Sequence, residues 1–204
     1  MRKKLTTLLT VITITFLTFP AHTHNTEQTS SITVTQDSSA ISYKDSIRTE
    51  LIHEVDNYIS KRFPDSRLSA TSVVLACEKH DFDLVFALAQ AQIESSFGTK
   101  GKAARTNSVW NVGQFDGRST ETMNKLGLTY THPEQSIEPY ITLVKTNYLG
   151  DQRTYDDLMK RYVSLSGKRY ASSTTYETHL KSVYDCIVKR TPIQGLFREL
   201  QSYI

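Results

Sequence analysis

Residues 83–98 read Asp83-Leu84-Val85-Phe86-Ala87-Leu88-Ala89-Gln90-Ala91-Gln92-Ile93-Glu94-Ser95-Ser96-Phe97-Gly98. Asp83 offers an N-cap, Leu84, Leu88, Ala91 and Ile93 supply an apolar set at helical spacing, and Gly98 supplies a stop. The small residues Ala87 and Ala89 let neighbouring helices approach closely, so the stretch predicts a helix at the buried centre of a domain. It also places one carboxylate, Glu94, in the last turn of an otherwise uncharged helix. Partial burial disfavours the charged form of Glu94, and the negative end of the helix dipole does so again. Both effects predict a raised pKa, the property a general acid needs to protonate a leaving oxygen in glycoside cleavage. On these local features alone, a surface glutamate near a helix end accounts for the residue as well, so the choice rests on the rest of the chain.

Outward from this helix the same periodicity recurs. Ile47, Leu51, Ile52, Val55, Tyr58 and Ile59 predict an amphipathic helix that stops before Pro64, and a shorter one covers 69–79 with Val73, Val74 and Cys77 on one side. After a long loop over 98–130, His132 and Pro133 form an N-cap and N1 pair ahead of Ile137, Tyr140, Ile141, Val144 and Tyr148. Residues 155–165 predict another helix, ended by Gly167. Thr174 and Glu177 make a capping box for a helix bearing Leu180, Val183, Tyr184 and Ile187, and Thr191 with Pro192 opens a last one carrying Leu196, Phe197 and Leu200. Strand alternation is confined to the N-terminal segments. The expected architecture is all-α, a single domain with a central helix, a long loop and little or no sheet.

Ahead of that domain the composition changes twice. Arg2, Lys3 and Lys4 are followed by a charge-free stretch over 5–19 with Leu8, Leu9, Val11, Ile12, Ile14, Phe16 and Leu17. This pattern predicts a secretory signal over 1–21, shorter than the roughly 20 residues of a spanning helix. Residues 22–42 are rich in Ser, Thr, Asn and Gln and too poor in apolar side chains to offset their ordering entropy. They predict a flexible linker, which leaves 43–204 for the domain. The expected location is exported, periplasmic or secreted, with membrane contact only through the leader. Three of the 24 basic residues lie in that leader, and the remainder equal the 21 acidic ones, which offers no electrostatic footprint for nucleic acid.

Cys77 and Cys186 are candidates for a disulfide that closes a long loop, worth about 4 kcal/mol, or for two separate buried thiols. Neither has a Cys or His neighbour at metal-ligand spacing, and no His-Glu-x-x-His or Gly-x-Ser-x-Gly pattern occurs. Gly98-Thr99-Lys100-Gly101-Lys102 fails as a phosphate loop, because Ser96 and Ala103 stand where Gly and Ser or Thr are needed. No metal or cofactor is expected.

Three motifs carry a resemblance. Glu94-Ser95-Ser96-Phe97-Gly98, then Asn107-Ser108-Val109-Trp110-Asn111-Val112, then Tyr170-Ala171 with Tyr176 resemble the glucosaminidase family of lysozyme-like peptidoglycan hydrolases. The family pattern runs Ala-Gln-small-x-x-Glu-Ser-Gly-Trp-Gly, Asn-Asn-Leu-Phe-Gly-Ile and Tyr-Ala-Thr-Asp-x-x-Tyr, and the likeness covers about half the chain. Ser96, Phe97 and Asn111 replace the family Gly, Trp and Gly, and Asn can still visit a left-handed conformation.

The resemblance implies a lysozyme-like fold and peptidoglycan glycan strands as partner. It implies Glu94 as the general acid and Tyr170 near the cleaved β-1,4 bond. For the second acidic group it offers Glu121 or Asp116, with Glu121 preferred. Ser95, Phe97, Asn107, Trp110, Gln114 and Tyr176 are the substrate-side candidates; of these, Trp110 is expected to pack under the groove and Asn107 to hold its loop. A second acidic group that holds water or attacks the sugar makes the enzyme a hydrolase, here an N-acetylglucosaminidase. Without one, the substrate's own acetamido group or a hydroxyl must do the second job, and in the hydroxyl case the enzyme resembles a lytic transglycosylase; a groove without bond cleavage would be a peptidoglycan-binding or scaffold protein. An exported helical inhibitor or adaptor is the remaining alternative.

Overall fold

The computed structural model describes residues 31–113 and 119–203, with side chains from residue 40 onward. The described elements are α1 (Ser31–Arg62), α2 (Ala70–Lys79), α3 (Leu84–Ser95), α4 (Ala103–Thr106), α5 (Thr120–Lys125), α6 (Ile137–Val144), α7 (Tyr155–Lys160), α8 (Tyr176–Arg190) and α9 (Ile193–Gln201). A 3-10 turn over Pro133–Ser136 leads into α6 and a π turn over Lys145–Leu149 leads out of it. The described residues hold no strand, only a single antiparallel bridge between Val163 and Arg169. The all-α expectation holds.

α3 occupies the centre because it has no polar face to leave in water. Every residue from Leu84 to Ala91 is buried, and α2, α8 and α9 pack around it, α8 most extensively. Asp83 caps it as expected, one carboxylate oxygen accepting from Phe86 N at 2.9 Å and the other from Tyr184 OH at 2.9 Å. Along α1, Ile47, Leu51, Val55, Tyr58 and Ile59 form one buried stripe toward α2 and α9.

Several boundaries differ from the sequence reading. α1 begins at Ser31, inside the stretch 22–42 read as linker, because a helix nucleated by the packed stripe propagates at little further cost. Among the side chains described, burial along α1 starts at Ile47. The predicted helix over 155–165 stops at Lys160. There the Glu177 carboxylate takes the Tyr162 N–H at 3.0 Å, and the chain turns back so that Tyr170 N bonds Tyr162 O. Glu177 is therefore buried and paired with Arg169 instead of closing a capping box with Thr174. The loop over 98–130 contains the short helices α4 and α5. Both cysteines are free, and burial raises the Cys77 thiol pKa.

Gly98 is not the residue that stops α3. The chain turns left-handed at Ser96 (φ 51°) and stays so through Phe97 (φ 56°) and Gly98 (φ 82°). Only the last is glycine, and a Cβ there would lie 3.3 Å from the Val109 side chain. A left-handed non-glycine residue costs about 1 kcal/mol, and the Ser96 hydroxyl has no hydrogen bond to set against it among the described residues. Ser96→Gly is expected to stabilise the protein by about 1 kcal/mol, read as a higher denaturant midpoint; an unchanged or lower midpoint contradicts the strain.

Candidate active site

Glu94 stands one residue before the end of α3, on the turn that the left-handed residues create. The turn is held by Ser95, whose hydroxyl donates to Val109 O at 2.6 Å and accepts from Gly98 N at 2.7 Å. Ser95 is buried and acts on the backbone, so the structure gives it a scaffold position instead of a sugar contact.

The second motif is bolted to the first. Asn111 adopts the left-handed conformation (φ 51°) that the family glycine would supply. Its Nδ2 donates to Glu94 O at 2.9 Å and to Glu94 Oε2 at 3.2 Å. One of the carbonyls that every helix C-terminus leaves unpaired is thereby satisfied, and the same amide grips the carboxyl. Trp110 has no exposed surface, donates its indole N–H to Ala87 O at 2.9 Å and stacks on Tyr140 at 4.8 Å. Phe97 is likewise buried, against Tyr58 and Phe63. Rings sealed in the core have no face to offer a sugar, so Phe97 packs instead of touching substrate, and Trp110 has the packing position expected of it. Asn107, also left-handed, donates to Tyr130 O and Thr131 O and accepts from Arg67, which ties α4 to the segment ahead of α6.

The third motif closes the site from above. Tyr176, the first residue of α8, donates its hydroxyl to Glu94 Oε1 at 2.5 Å. Tyr170 stacks on Tyr162 at 4.4 Å, lies edge-on to Tyr148, and donates to Trp110 O at 3.3 Å. The pair Glu177 and Arg169 pins the hairpin that carries Tyr170, through the Tyr162 N–H and the Ser173 carbonyl.

Glu94 is therefore held on both oxygens inside an aromatic wall. Burial raises its pKa, and the hydrogen bonds from Tyr176 and Asn111 oppose that without cancelling it. The outcome is a carboxyl that resists ionisation and can give up a proton. Glu121 does not join this group: it lies on α5 with its side chain 76% exposed, paired with Lys125 at 2.7 Å. Asp116 and Gln114 lie outside the described residues. A cavity of about 550 Å³ along α7 and α8, lined by Lys160, Lys181, Cys186, Lys189 and Arg190, contains none of the groups that touch the Glu94 carboxyl.

Asn111→Gly separates the two roles of that residue. It relieves the left-handed strain but removes both bonds to Glu94. Stability is expected to change by less than about 1 kcal/mol, while catalytic rate falls by roughly 10²-fold through misplacement of the carboxyl. A variant with full rate would show that Glu94 needs no hold from this side.

Sequence reasoning missed Gln90, whose signal was visible: a fully buried amide in the middle of an apolar helix must have hydrogen-bond partners. It also treated Asn111 only as a backbone substitute and Glu177 only as a cap.

No curated protein and no solved structure matches the chain. The family described as mannosyl-glycoprotein endo-beta-N-acetylglucosaminidase matches residues 70–188, more than half of the chain, from α2 to the last turns of α8. That span contains Glu94, Asn111, Tyr170 and Tyr176, so sequence match and geometry meet on one site, and the chain belongs to the glucosaminidase family, as a glycoside hydrolase that acts on glycan.

Proposed function

We propose that the protein is an exported peptidoglycan hydrolase that cleaves β-1,4 bonds of the glycan strand as an N-acetylglucosaminidase, with Glu94 as the general acid. The observation that carries this reading is the Glu94 carboxyl, gripped by Tyr176 and Asn111 at the end of a buried helix and raised in pKa by burial. Glu94 gives its proton to the leaving oxygen as the bond to the anomeric carbon breaks, and a water adds at that carbon, its released proton restoring the Glu94 carboxyl. Tyr170 stands beside the carboxyl and supports the sugar or the positive charge that develops on it. Because the protonated form is the active one, the rate is expected to fall as pH rises through the Glu94 titration.

A second reading, the lytic transglycosylase, draws on one observation. Among the described residues no second carboxylate touches Glu94, and Glu121 is turned to solvent beside Lys125. A hydroxyl of the substrate would then attack the anomeric carbon in place of water. Mass spectrometry of fragments released from purified sacculi decides between them. Reducing N-acetylglucosamine ends with one added water support the glucosaminidase, and anhydro-muramic ends make the enzyme a transglycosylase. A folded, sacculus-bound protein that releases nothing would be a binding protein. Export is tested by the N-terminus of the protein recovered outside the cytoplasm, expected after Ala21.

A further inference from the structure

Gln90 lies midway along α3 with no exposed surface. Its Oε1 accepts from Tyr140 OH at 2.6 Å and from Tyr162 OH at 3.1 Å. Its Nε2 donates to Tyr176 OH at 3.2 Å, and Tyr176 OH donates to Glu94 Oε1 at 2.5 Å. Side chains from α6, α3, the hairpin and α8 thus form one hydrogen-bonded chain that ends on the carboxyl.

The direction of that chain is determined by counting protons. Each phenol has one, and among the described residues neither Tyr140 nor Tyr162 has another acceptor for it. Turning the Gln90 amide round would strand two buried hydroxyl protons, which buried polar groups strongly resist. The amide oxygen therefore faces the two tyrosines and the amide N–H faces Tyr176. Having received that donor, Tyr176 places its own proton on Glu94 Oε1. Oε1 receives the short bond of 2.5 Å and Oε2 only the 3.2 Å bond from Asn111 Nδ2, so the proton that Glu94 itself carries falls on Oε2, the less committed oxygen.

We propose that Gln90, locked by Tyr140 and Tyr162, is a positioning residue that makes Tyr176 a one-way donor to Oε1 of Glu94 and so assigns proton transfer to Oε2. Its catalytic meaning rests on Glu94 being the general acid; the direction of the chain does not. The titratable groups that face Glu94 are Tyr176 from α8 and Tyr162 and Tyr170 from the hairpin, with the uncharged Asn111 on the other side.

The test is a carboxyl titration of Glu94 by NMR, in the full chain with isotope-labelled glutamate side chains, the signal identified by its loss in Glu94→Gln. Tyr176→Phe removes a donor to the ionised form, so the Glu94 midpoint moves up. Tyr140→Phe combined with Tyr162→Phe keeps both rings and frees the Gln90 oxygen to turn toward Tyr176. Tyr176 then divides its proton between two acceptors, and the Glu94 midpoint rises toward that of Tyr176→Phe. In the Tyr176→Phe background the same pair is expected to add no shift. A midpoint that the pair leaves unmoved, or moves equally with and without the Tyr176 hydroxyl, overturns the proposal. Tyr140→Phe alone, which removes one of the two locking protons and strands none, reads the same way should the double variant fold poorly, with an upward shift no larger than that of the pair and none in the Tyr176→Phe background. The titration needs no substrate, so a protein that shows this pattern but releases no glycan would overturn the glucosaminidase reading and leave the proton direction standing.

Discussion

Glu94→Gln is expected to lower the rate of fragment release from purified sacculi by about 10³-fold, the scale of a lost general acid. The substitution keeps the side-chain volume and an oxygen to accept from Tyr176, but it has no proton to give. Its fold should survive, because Ser95, Asn111 and the left-handed turn hold the backbone through other groups. Circular dichroism and a thermal melt close to those of the parent would make the loss chemical. Release at the parental rate would remove Glu94 from the reaction. Glu121→Gln is the natural companion. An exposed ion pair at i,i+4 is worth about 0.5 kcal/mol or less, so neither stability nor rate should change much if Glu121 is only the partner of Lys125. A large loss of rate in Glu121→Gln would instead identify it as the second acidic group.

Trp110→Ala is expected to destabilise the protein by about 4 kcal/mol, a large fraction of the roughly 5–15 kcal/mol that keeps a typical domain folded. Three contributions disappear together. The indole has no exposed surface and leaves a cavity; its stack on Tyr140 is lost; and Ala87 O, inside the buried centre of α3, loses its extra donor. The damage should also reach function, because Trp110 O is the acceptor for Tyr170 and Tyr140 is a donor to Gln90. Trp110→Phe fills most of the cavity and should recover a large part of the stability. If Trp110 were a sugar-stacking residue at the surface, the alanine variant would instead keep its denaturant midpoint and lose only affinity for glycan.

Much of the architecture was readable in one dimension because its cause is local. The helical stripe of α1, the Asp83 cap and the uncharged, small-residue face of α3 are properties of neighbours three and four apart. The raised pKa of Glu94 was predictable for the same reason, since it follows from a lone carboxylate on a helix with no polar face. Where the chain departed from expectation, a distant partner had intervened. Residues 161–165 continue a helical pattern, yet Glu177 captures the Tyr162 N–H and the chain bends there into a hairpin. Thr174 and Glu177 match a capping box, yet Arg169 takes the carboxylate.

By itself the sequence determined the fold class, the central helix, the carboxylate on it and the three motifs around it, because periodicity, capping and order along the chain are one-dimensional properties. Only the tertiary structure decided what each motif residue does. It put Trp110 and Phe97 in the core, turned Asn111 from a glycine substitute into a clamp on Glu94, and joined Gln90 to Tyr176 across 86 residues. The physical reason is that a hydrogen bond is defined by distance and angle between two atoms, and a sequence names both partners without saying that they meet.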